Sequence, residues 1–202
     1  MSLKYNIRLL LLISLYFTQL ISSEWIYKAD LLNAKTINNL ETKELVGNVL
    51  ILKDDITLST DRAILYSKSD YLELFGNIIM GNDNDTLKCD TLYYFTQNDD
   101  YLIASGGVQL TNLEKSISSD SLYYWSNKDS ANAIGHVLLN DSLRTLNAGK
   151  LKYWTTNGYN GYSFHASENV IINDGPNEIK GSEIKYYDII QEMLITGDAS
   201  II

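Results

Sequence analysis

Few side chains of this 202-residue sequence could carry out covalent or metal chemistry. It contains two histidines, His136 and His165, and one cysteine, Cys89. Neither histidine has a serine or cysteine at a spacing that is typical of an activated nucleophile, and these three residues are too few for a zinc-ligand set. We therefore expect no catalytic residue, no metal, no cofactor and no enzymatic activity.

Two other groups of residues suggest binding, and each has a simpler interpretation. The run Gly81-Asn82-Asp83-Asn84-Asp85 offers oxygen ligands that suit Ca²⁺. The same residue types form hairpin turns, and we favour the turn. The pairs Tyr93-Tyr94, Tyr123-Tyr124 and Tyr186-Tyr187 could stack on sugars, although paired aromatic residues more often pack across strands. Exposed rings in a line would favour a carbohydrate ligand.

The charge balance of the sequence argues against a nucleic-acid partner. There are 25 Asp and Glu residues against 16 Lys and Arg, which gives a formal net charge of −9. Binding to a phosphate backbone requires clustered cations, and this chain has no basic run. Because 45% of its residues are hydrophobic, the chain can form a sizeable core, so intrinsic disorder is not expected.

The first 23 residues have the pattern of a secretory signal peptide. Lys4 and Arg8 precede an apolar run at 9–21, and Ser22-Ser23 follows it. The run is shorter than the roughly 18 residues that a membrane span requires. We expect export and cleavage after Ser23, with an uncleaved inner-membrane anchor as the alternative. Without Lys4 and Arg8, 14 basic and 25 acidic residues remain, a formal charge of −11.

The rest of the chain repeats with a period near 30 residues. The first landmark of each repeat is a glycine, then a polar or small residue, then valine or isoleucine. It begins at Gly47, Gly76, Gly106 and Gly135, with degenerate copies at Glu168 and Gly197. A second landmark follows fourteen residues later, at Asp61, Asp90, Asp120, Gly149 and Ser182. A fixed period of this kind predicts a repeat architecture in which each unit packs against its neighbours.

Within each repeat, apolar residues alternate with polar ones, which predicts β-strands. Turn residues recur about every 15 positions, so each repeat supplies two antiparallel strands. The alternation shifts by one residue at the second landmark, which predicts a bulge or bend there. We therefore predict an all-β fold, an antiparallel, bent, V-shaped β-jellyroll that forms a single domain over 24–202. Only the segment 29–45 is ambiguous, because its spacing also allows a short helix.

The repeat pattern resembles a known family. It is carried by 46–52 (VGNVLIL), 57–61 (TLSTD) and 86–95 (TLKCDTLYYF), and over 30–202 the chain is similar to the OstA-like lipopolysaccharide-transport proteins. The resemblance implies a periplasmic β-jellyroll that carries lipopolysaccharide from the inner to the outer membrane, with the acyl chains inside. The implied partners are lipopolysaccharide and the inner-membrane and outer-membrane components of that transport machinery.

On this resemblance, inward-facing apolar residues are candidates for binding the acyl chains of lipid A. Each CH₂ group removed from water contributes about 0.8 kcal/mol to the free energy of binding, so an apolar trough can bind acyl chains without a polar sequence motif. Because the mature chain has a formal charge of −11, it would repel an anionic head group. We therefore expect the protein to hold an anionic glycolipid by its acyl chains. The alternative is that the same residues fill a closed core. The candidates are Val49, Ile51, Leu58, Ile78, Met80, Leu87, Val108, Leu110, Ile117, Val137, Leu139, Leu146, Val170, Ile172 and Ile179.

The end of the chain predicts assembly. No charged residue or proline follows the segment 198–202, so nothing there blocks the edge of a strand. Such an edge can accept a strand from a partner, and head-to-tail addition would build a homo-oligomer that bridges two membranes. A truncated sequence is the alternative explanation. The alternative function is a structural or polysaccharide-binding β-repeat protein of the envelope.

Overall fold

The structure is a computed structural model. It describes residues 26–37, 40–53, 55–66, 71–95, 101–112, 115–125, 128, 130–141, 143–154, 163–187, 190 and 192–202. The predicted signal peptide, 1–23, lies outside the described residues. Among the residues that are described, no helix is long and apolar enough to cross a membrane.

Within this described part of the chain, fourteen strands form one antiparallel sheet. From β3 to β13 each strand pairs with the next along the chain, β1 and β2 both pair with β3, and β13 and β14 both pair with β12. The two ends of this path do not meet, so the sheet is open, and the predicted all-β antiparallel class is confirmed. In the ambiguous segment 29–45, the described residues include β2 and the first part of β3 and no helix. The strands are β1 (Ile26–Lys28), β2 (Leu31–Ile37), β3 (Leu40–Lys53), β4 (Ile56–Tyr66), β5 (Tyr71–Gly81), β6 (Asp85–Phe95), β7 (Tyr101–Asn112), β8 (Lys115–Trp125), β9 (Ser130–Asn140), β10 (Arg144–Trp154), β11 (Phe164–Asp174), β12 (Asn177–Tyr187), β13 (Glu192–Thr196) and β14 (Ser200–Ile201).

Each strand from β3 to β12 is interrupted near its middle by a β-bulge. Between β3 and β4, Val46 pairs with Arg62 and Val49 pairs with Thr60, so two residues of β3 lie opposite Asp61 alone. Register shifts recur at the repeat landmarks in every following pair up to β11 and β12. The predicted one-residue phase shift at the second landmark is therefore confirmed. A bulge bends the strand and increases its twist, so this line of bulges, which we call the spine, folds the sheet over.

The spine divides the sheet into two arms, which differ in their outer faces. The outer face of the first, the aromatic arm, presents tyrosine, phenylalanine and tryptophan together with charged residues such as Arg62, Glu73 and Lys152. The outer face of the second, the polar arm, presents mainly Ser, Thr, Asn and Gln. The aromatic arm comprises 41–46, 62–66, 71–75, 91–95, 101–105, 121–125, 130–134, 150–154, 164–167 and 183–187. The polar arm comprises 49–53, 56–60, 78–81, 85–89, 108–112, 115–119, 137–140, 144–148, 170–174 and 177–181.

The core lies between the two arms. Inward residues of the aromatic arm, such as Leu74 and Leu92, and of the polar arm, such as Ile78 and Leu87, belong to one buried apolar cluster. A sheet face is buried only when another layer covers it, and here the other layer is the second arm of the same sheet. The fold is therefore a single sheet bent along the spine with its apolar faces turned inward.

Candidate functional site

The spine is built from pairs of residues that meet across neighbouring strands. Gly76 and Asn77 of β5 have φ angles of +80° and +46°, in the left-handed region that glycine adopts most readily. The carboxylate of Asp61 lies over Gly76, where a side chain would otherwise project. It also accepts a hydrogen bond from Asn77 Nδ2 at 2.8 Å. Asp61 therefore holds the two left-handed residues of the bulge in place.

This arrangement recurs along the spine. Each second landmark pairs with the first landmark of the next repeat and not with that of its own repeat, because the two lie on neighbouring strands. The side chain at the second landmark fills the space over the glycine in each case. The pairs are Asp30 with Gly47, Asp61 with Gly76, Asp90 with Gly106, Asp120 with Gly135 and Ser182 with Gly197. Asp30 thus acts as a second landmark one repeat before Asp61, the first that the sequence pattern identified.

One pair of the spine is exchanged. At the junction of β10 and β11 the glycine is Gly149, at the second landmark, and the carboxylate is Glu168, at the first. The Glu168 side chain lies over Gly149 and accepts a hydrogen bond from Lys150 Nζ at 2.5 Å. Gly149 and Glu168 each depart from the residue type that is usual at their landmark. The two departures compensate each other, since one carboxylate still covers one glycine.

A surface cavity of about 520 Å³ lies beside the exchanged pair. It is lined by His136, Asn147, Gly149, Glu168 and Asn169 among others, and it opens at exposed side chains of the spine. Its lining also includes Val137 and Ala148, which belong to the buried apolar cluster between the arms.

All fifteen predicted lipid-binding residues lie on the inner face of the polar arm, and each is at most 9% exposed. Ten of them form one row in which each residue lies directly opposite the next across the strands. The row runs through Ile51, Leu58, Met80, Leu87, Leu110, Ile117, Leu139, Leu146, Ile172 and Ile179. Val49, Ile78, Val108, Val137 and Val170 lie beside this row, next to the spine. With strands about 4.8 Å apart, the ten strands make an apolar strip about 43 Å long.

The list of predicted residues misses the opposite wall. The inner face of the aromatic arm carries its own row, in which Leu65, Leu72, Tyr94, Leu102 and Tyr124 lie opposite one another across β4 to β8. These residues are 2–9% exposed. The sequence does contain the signal, since apolar residues stand two and four positions after each second landmark.

The space between the arms is closed along its length in this structure. The inner residues of both arms belong to one apolar cluster, and the described residues of that cluster are almost fully buried. Inward residues are exposed at both ends of the sheet. Leu32 of β2 is 50% exposed although it lies opposite the buried Leu45, and Ile201 of β14 is 59% exposed although it lies opposite the buried Ile179. Access for a long ligand therefore requires the arms to separate.

The tyrosine pairs are divided between the two faces of the aromatic arm. Tyr94, Tyr124 and Tyr186 point inward and are buried, whereas their neighbours in sequence point outward. The outer rings form a line across β4 to β8 through Tyr66, Tyr71, Phe95, Tyr101 and Trp125. Successive centroids of the first four rings lie 5.2, 4.5 and 4.1 Å apart. Phe95 stacks on Tyr71 and on Tyr101, and Tyr66 is tilted against Tyr71, so the faces of these half-buried rings take part in packing across the strands.

The two histidines and the cysteine lie in three different environments. His136 is an exposed residue of the spine whose Nδ1 lies 2.9 Å from Asp120 Oδ2. His165 Nε2 lies 2.5 Å from Glu183 Oε1 on the outer face, where burial lowers the pKa of the imidazole. Cys89 is buried on the inner face, and burial raises the pKa of its thiol to about 12. A thiol of this kind is unreactive at neutral pH.

The oxygen-rich run at 81–85 forms a hairpin turn. Asn82 Oδ1 accepts hydrogen bonds from the backbone N–H groups of Asn84 and Asp85, at 2.9 and 2.8 Å. This is the capping geometry of an Asx turn, so the favoured interpretation is confirmed. In the described part of the chain, no three His, Cys, Asp or Glu side chains come close enough together to hold a metal ion.

Comparison with known proteins places these features in a family. Residues 23–157, which is more than half of the chain, match the family model of the OstA-like proteins. The chain belongs to the OstA-like family. No match is found among curated protein sequences. Among solved structures, the OstA-like chain is similar to the crystal structure of LptH from Pseudomonas aeruginosa, described as the LptA-homologous periplasmic component of the lipopolysaccharide transport device. That similarity has 14% sequence identity and a TM-score of 0.49, and it covers 56% of this chain and 82% of the other.

Proposed function

We propose that the protein is a periplasmic, non-enzymatic carrier of lipopolysaccharide that takes up the acyl chains of lipid A between its two arms. Membership of the OstA-like family supports this proposal. The observation that carries it is the shape of the apolar interior, a strip about 43 Å long that runs across all the central strands. A globular core of the same composition would not need to be long, narrow and uninterrupted.

The chemistry of the interior suits acyl chains. Between the strip and the spine the inner residues are small or apolar, and described hydroxyl groups there, such as those of Thr60 and Ser119, donate hydrogen bonds to backbone carbonyls. Separating the arms exchanges contacts between apolar side chains for contacts with acyl chains, which leaves the area of apolar surface in water nearly unchanged. Opening for a lipid therefore costs much less than opening to water.

The interior location of the lipid is tested by site-specific photo-crosslinking. A photoreactive residue at Ile78 or Leu110 is expected to capture lipopolysaccharide, because both side chains point into the strip. The matched outward positions are Gln109 and Lys88, which lie opposite each other on the outer face of the polar arm. Asn77 is a poor control, since its side chain bonds to Asp61 within the spine.

The experiment uses the full chain incubated with purified lipopolysaccharide, and adducts are identified by mass. Equal labelling at inward and outward positions, or none at Ile78 and Leu110, would contradict the proposal. Because a bulky residue in a packed interior can destabilise the fold, native mass spectrometry of the unmodified protein with lipid A serves as the second measurement. A protein that binds no lipid A in that assay is not the proposed carrier.

We further propose that copies join end to end, so that the apolar strip continues from one copy to the next as a bridge between the membranes. The two ends of the described sheet are strand edges, and both carry exposed apolar residues. Leu31 and Leu32 at the first edge are 52% and 50% exposed, and Leu194 and Ile201 at the last are 49% and 59% exposed. Edges of this kind favour strand addition.

Charged residues at the last edge are expected to prevent this assembly. The variant Leu194→Lys with Ile201→Lys should remain monomeric at concentrations where the native chain forms larger species, because lysine on an edge strand opposes pairing. The matched control is Ile190→Lys with Leu143→Lys, which changes two equally exposed apolar residues outside the strands. Multi-angle light scattering over a range of concentrations measures the effect. A native chain that is monomeric at every concentration would refute end-to-end assembly while leaving lipid binding intact.

A further inference from the structure

The polar arm ends in a row of inward residues that differs from the rest of its inner face. Two positions beyond the apolar strip, at the ends of the strands farthest from the spine, the inward side chains are mostly polar or charged. We call this row the lip. It consists of Lys53, Ile56, Asn82, Asp85, Asn112, Lys115, Asp141, Arg144, Asp174 and Asn177.

Several charged residues of the lip are buried in spite of their position at strand ends. Lys53 is 9% exposed, Asp85 is 5% exposed and Asp141 is 6% exposed. Asp85 accepts a hydrogen bond from Asn112 Nδ2, and Arg144 Nε donates to Asp174 Oδ1 at 3.0 Å. Burying charged groups costs free energy. If these residues served only to end the strands, their charged side chains would be expected to be exposed to water.

Asp141 is the residue whose charge the fold does not explain. Its Oδ1 accepts hydrogen bonds from the backbone N–H groups of Leu143 and Arg144, at 2.9 and 2.8 Å. Asn82 caps the equivalent turn with the same two bonds and no charge. The second oxygen of Asp141, Oδ2, is buried and has no hydrogen-bond partner among the described residues. The turn therefore needs an amide or carboxyl oxygen, but not a buried carboxylate with a vacant acceptor.

Two cations of the lip lie on the strands that flank this acceptor. Arg144 begins β10, where its side chain is 12% exposed, and Lys115 begins β8. Asp141 follows β9 between them, so donors and acceptor are spread over about 10 Å across three strands. The strip residues Leu139 and Leu146 lie two positions further inward.

We propose that Asp141, Arg144 and Lys115 bind the phosphorylated sugar head group of the amphiphile whose chains lie between the arms. The inference rests on the proposed function, and names the part of the ligand that the lip would hold. A phosphate accepts hydrogen bonds from the guanidinium and ammonium groups, and a sugar hydroxyl or amide donates to Asp141 Oδ2. Free phosphate alone would meet two carboxylates, Asp141 and Asp174, whereas a phosphorylated sugar also offers hydroxyl donors to them.

The sharpest variant is Asp141→Asn. Asn82 shows that asparagine forms the same turn, so this variant keeps the turn and replaces only the vacant acceptor with a donor. Arg144→Gln removes the positive charge. The matched control is Asn82→Asp, which introduces a carboxylate into the equivalent turn of another repeat. Melting temperatures establish that each variant folds, and Asp141→Asn decides the outcome if Arg144→Gln does not fold.

Affinity is measured for the full chain with lipid A and with dephosphorylated lipid A that has the same acyl chains. The native chain is expected to bind lipid A at least about tenfold more tightly than the dephosphorylated form. Asp141→Asn and Arg144→Gln, the two lip variants, should each lose about tenfold in affinity for lipid A and little for the dephosphorylated form. Asn82→Asp, at the lip position that follows β5 and lies four strands away from β9, should bind as the native chain does. Unchanged affinity in both lip variants, or equal affinity of the native chain for both lipids, would overturn the head-group site alone. If the native chain binds neither lipid, the proposed function itself fails.

Discussion

Replacing Gly106 with alanine is expected to lower the free energy of unfolding by about 3 kcal/mol, through strain in the left-handed backbone and a collision in the spine. The φ angle of Gly106 is +80°, and an added Cβ would lie 2.6 Å from Asp90 Oδ2 and 2.7 Å from Asp90 Cβ. A carboxylate can rotate away from such a contact, but a Cβ atom cannot, so the backbone of β6 or β7 must shift. Chemical denaturation of the full chain measures the difference.

The neighbouring residue provides the control. Gly107 has a φ angle of +55°, and no atom lies within 4 Å of the position that its Cβ would occupy. Asn48 and Asn77 hold the same place in other bulges with φ angles of +44° and +46°. Gly107→Asn is therefore expected to be neutral or to stabilise by up to about 1 kcal/mol, because it restricts the unfolded chain. A Gly106→Ala variant as stable as the native chain would show that the carboxylate does not constrain the bulge.

Restoring the usual order of the exchanged pair is expected to rescue a severe single substitution. Gly149→Asp alone should destabilise the protein by about 3 kcal/mol, because the new Cβ would lie 2.6 Å from Glu168 Cβ. Glu168→Gly alone should change stability by no more than about 1 kcal/mol. It relieves a glutamate held at a φ angle of +70°, and it removes the side chain that covers Gly149 together with an exposed ion pair to Lys150.

The double variant Gly149→Asp with Glu168→Gly recreates the arrangement of Asp61 and Gly76. We expect its stability to lie within about 1 kcal/mol of the native chain, which corresponds to a coupling energy of about 2–3 kcal/mol in a double-mutant cycle. Unfolding free energies of the four proteins give this coupling directly. Strictly additive effects would mean that the two residues do not compensate each other, and that the exchanged pair is two unrelated changes.

The two substitution series both concern the spine, where the sheet is bent. Both arms are continuous with it, and any separation of the arms for a ligand must bend the strands at Gly76, Gly106 and their equivalents. Bulges re-aim strands and are places where pairing is locally interrupted, so they are suited to this motion.

Strands, turns and repeats could be predicted from the sequence because they depend on neighbours along the chain. Alternation with a period of two marks strands, and a one-residue phase shift at Asp61 or Asp90 marks a bend, whatever the partner strand is. The family resemblance depends on the same local pattern and is confirmed by the family match. The inward direction of Ile78 and Leu110 follows from alternation too, and the structure places both on the buried face.

Contacts between strands and between arms were decided only by the tertiary structure. Asp61 covers Gly76 because β4 and β5 are paired in one register, and nothing near Asp61 in the chain specifies that partner. The second wall of the interior, with Leu72 and Leu102, exists because the bend brings the aromatic arm over the polar arm. Asp141 stands out only when its turn is compared with that of Asn82 and its second oxygen is found buried. Local pattern sets which way a side chain points, but burial and partners depend on residues from other strands that arrive when the sheet folds over.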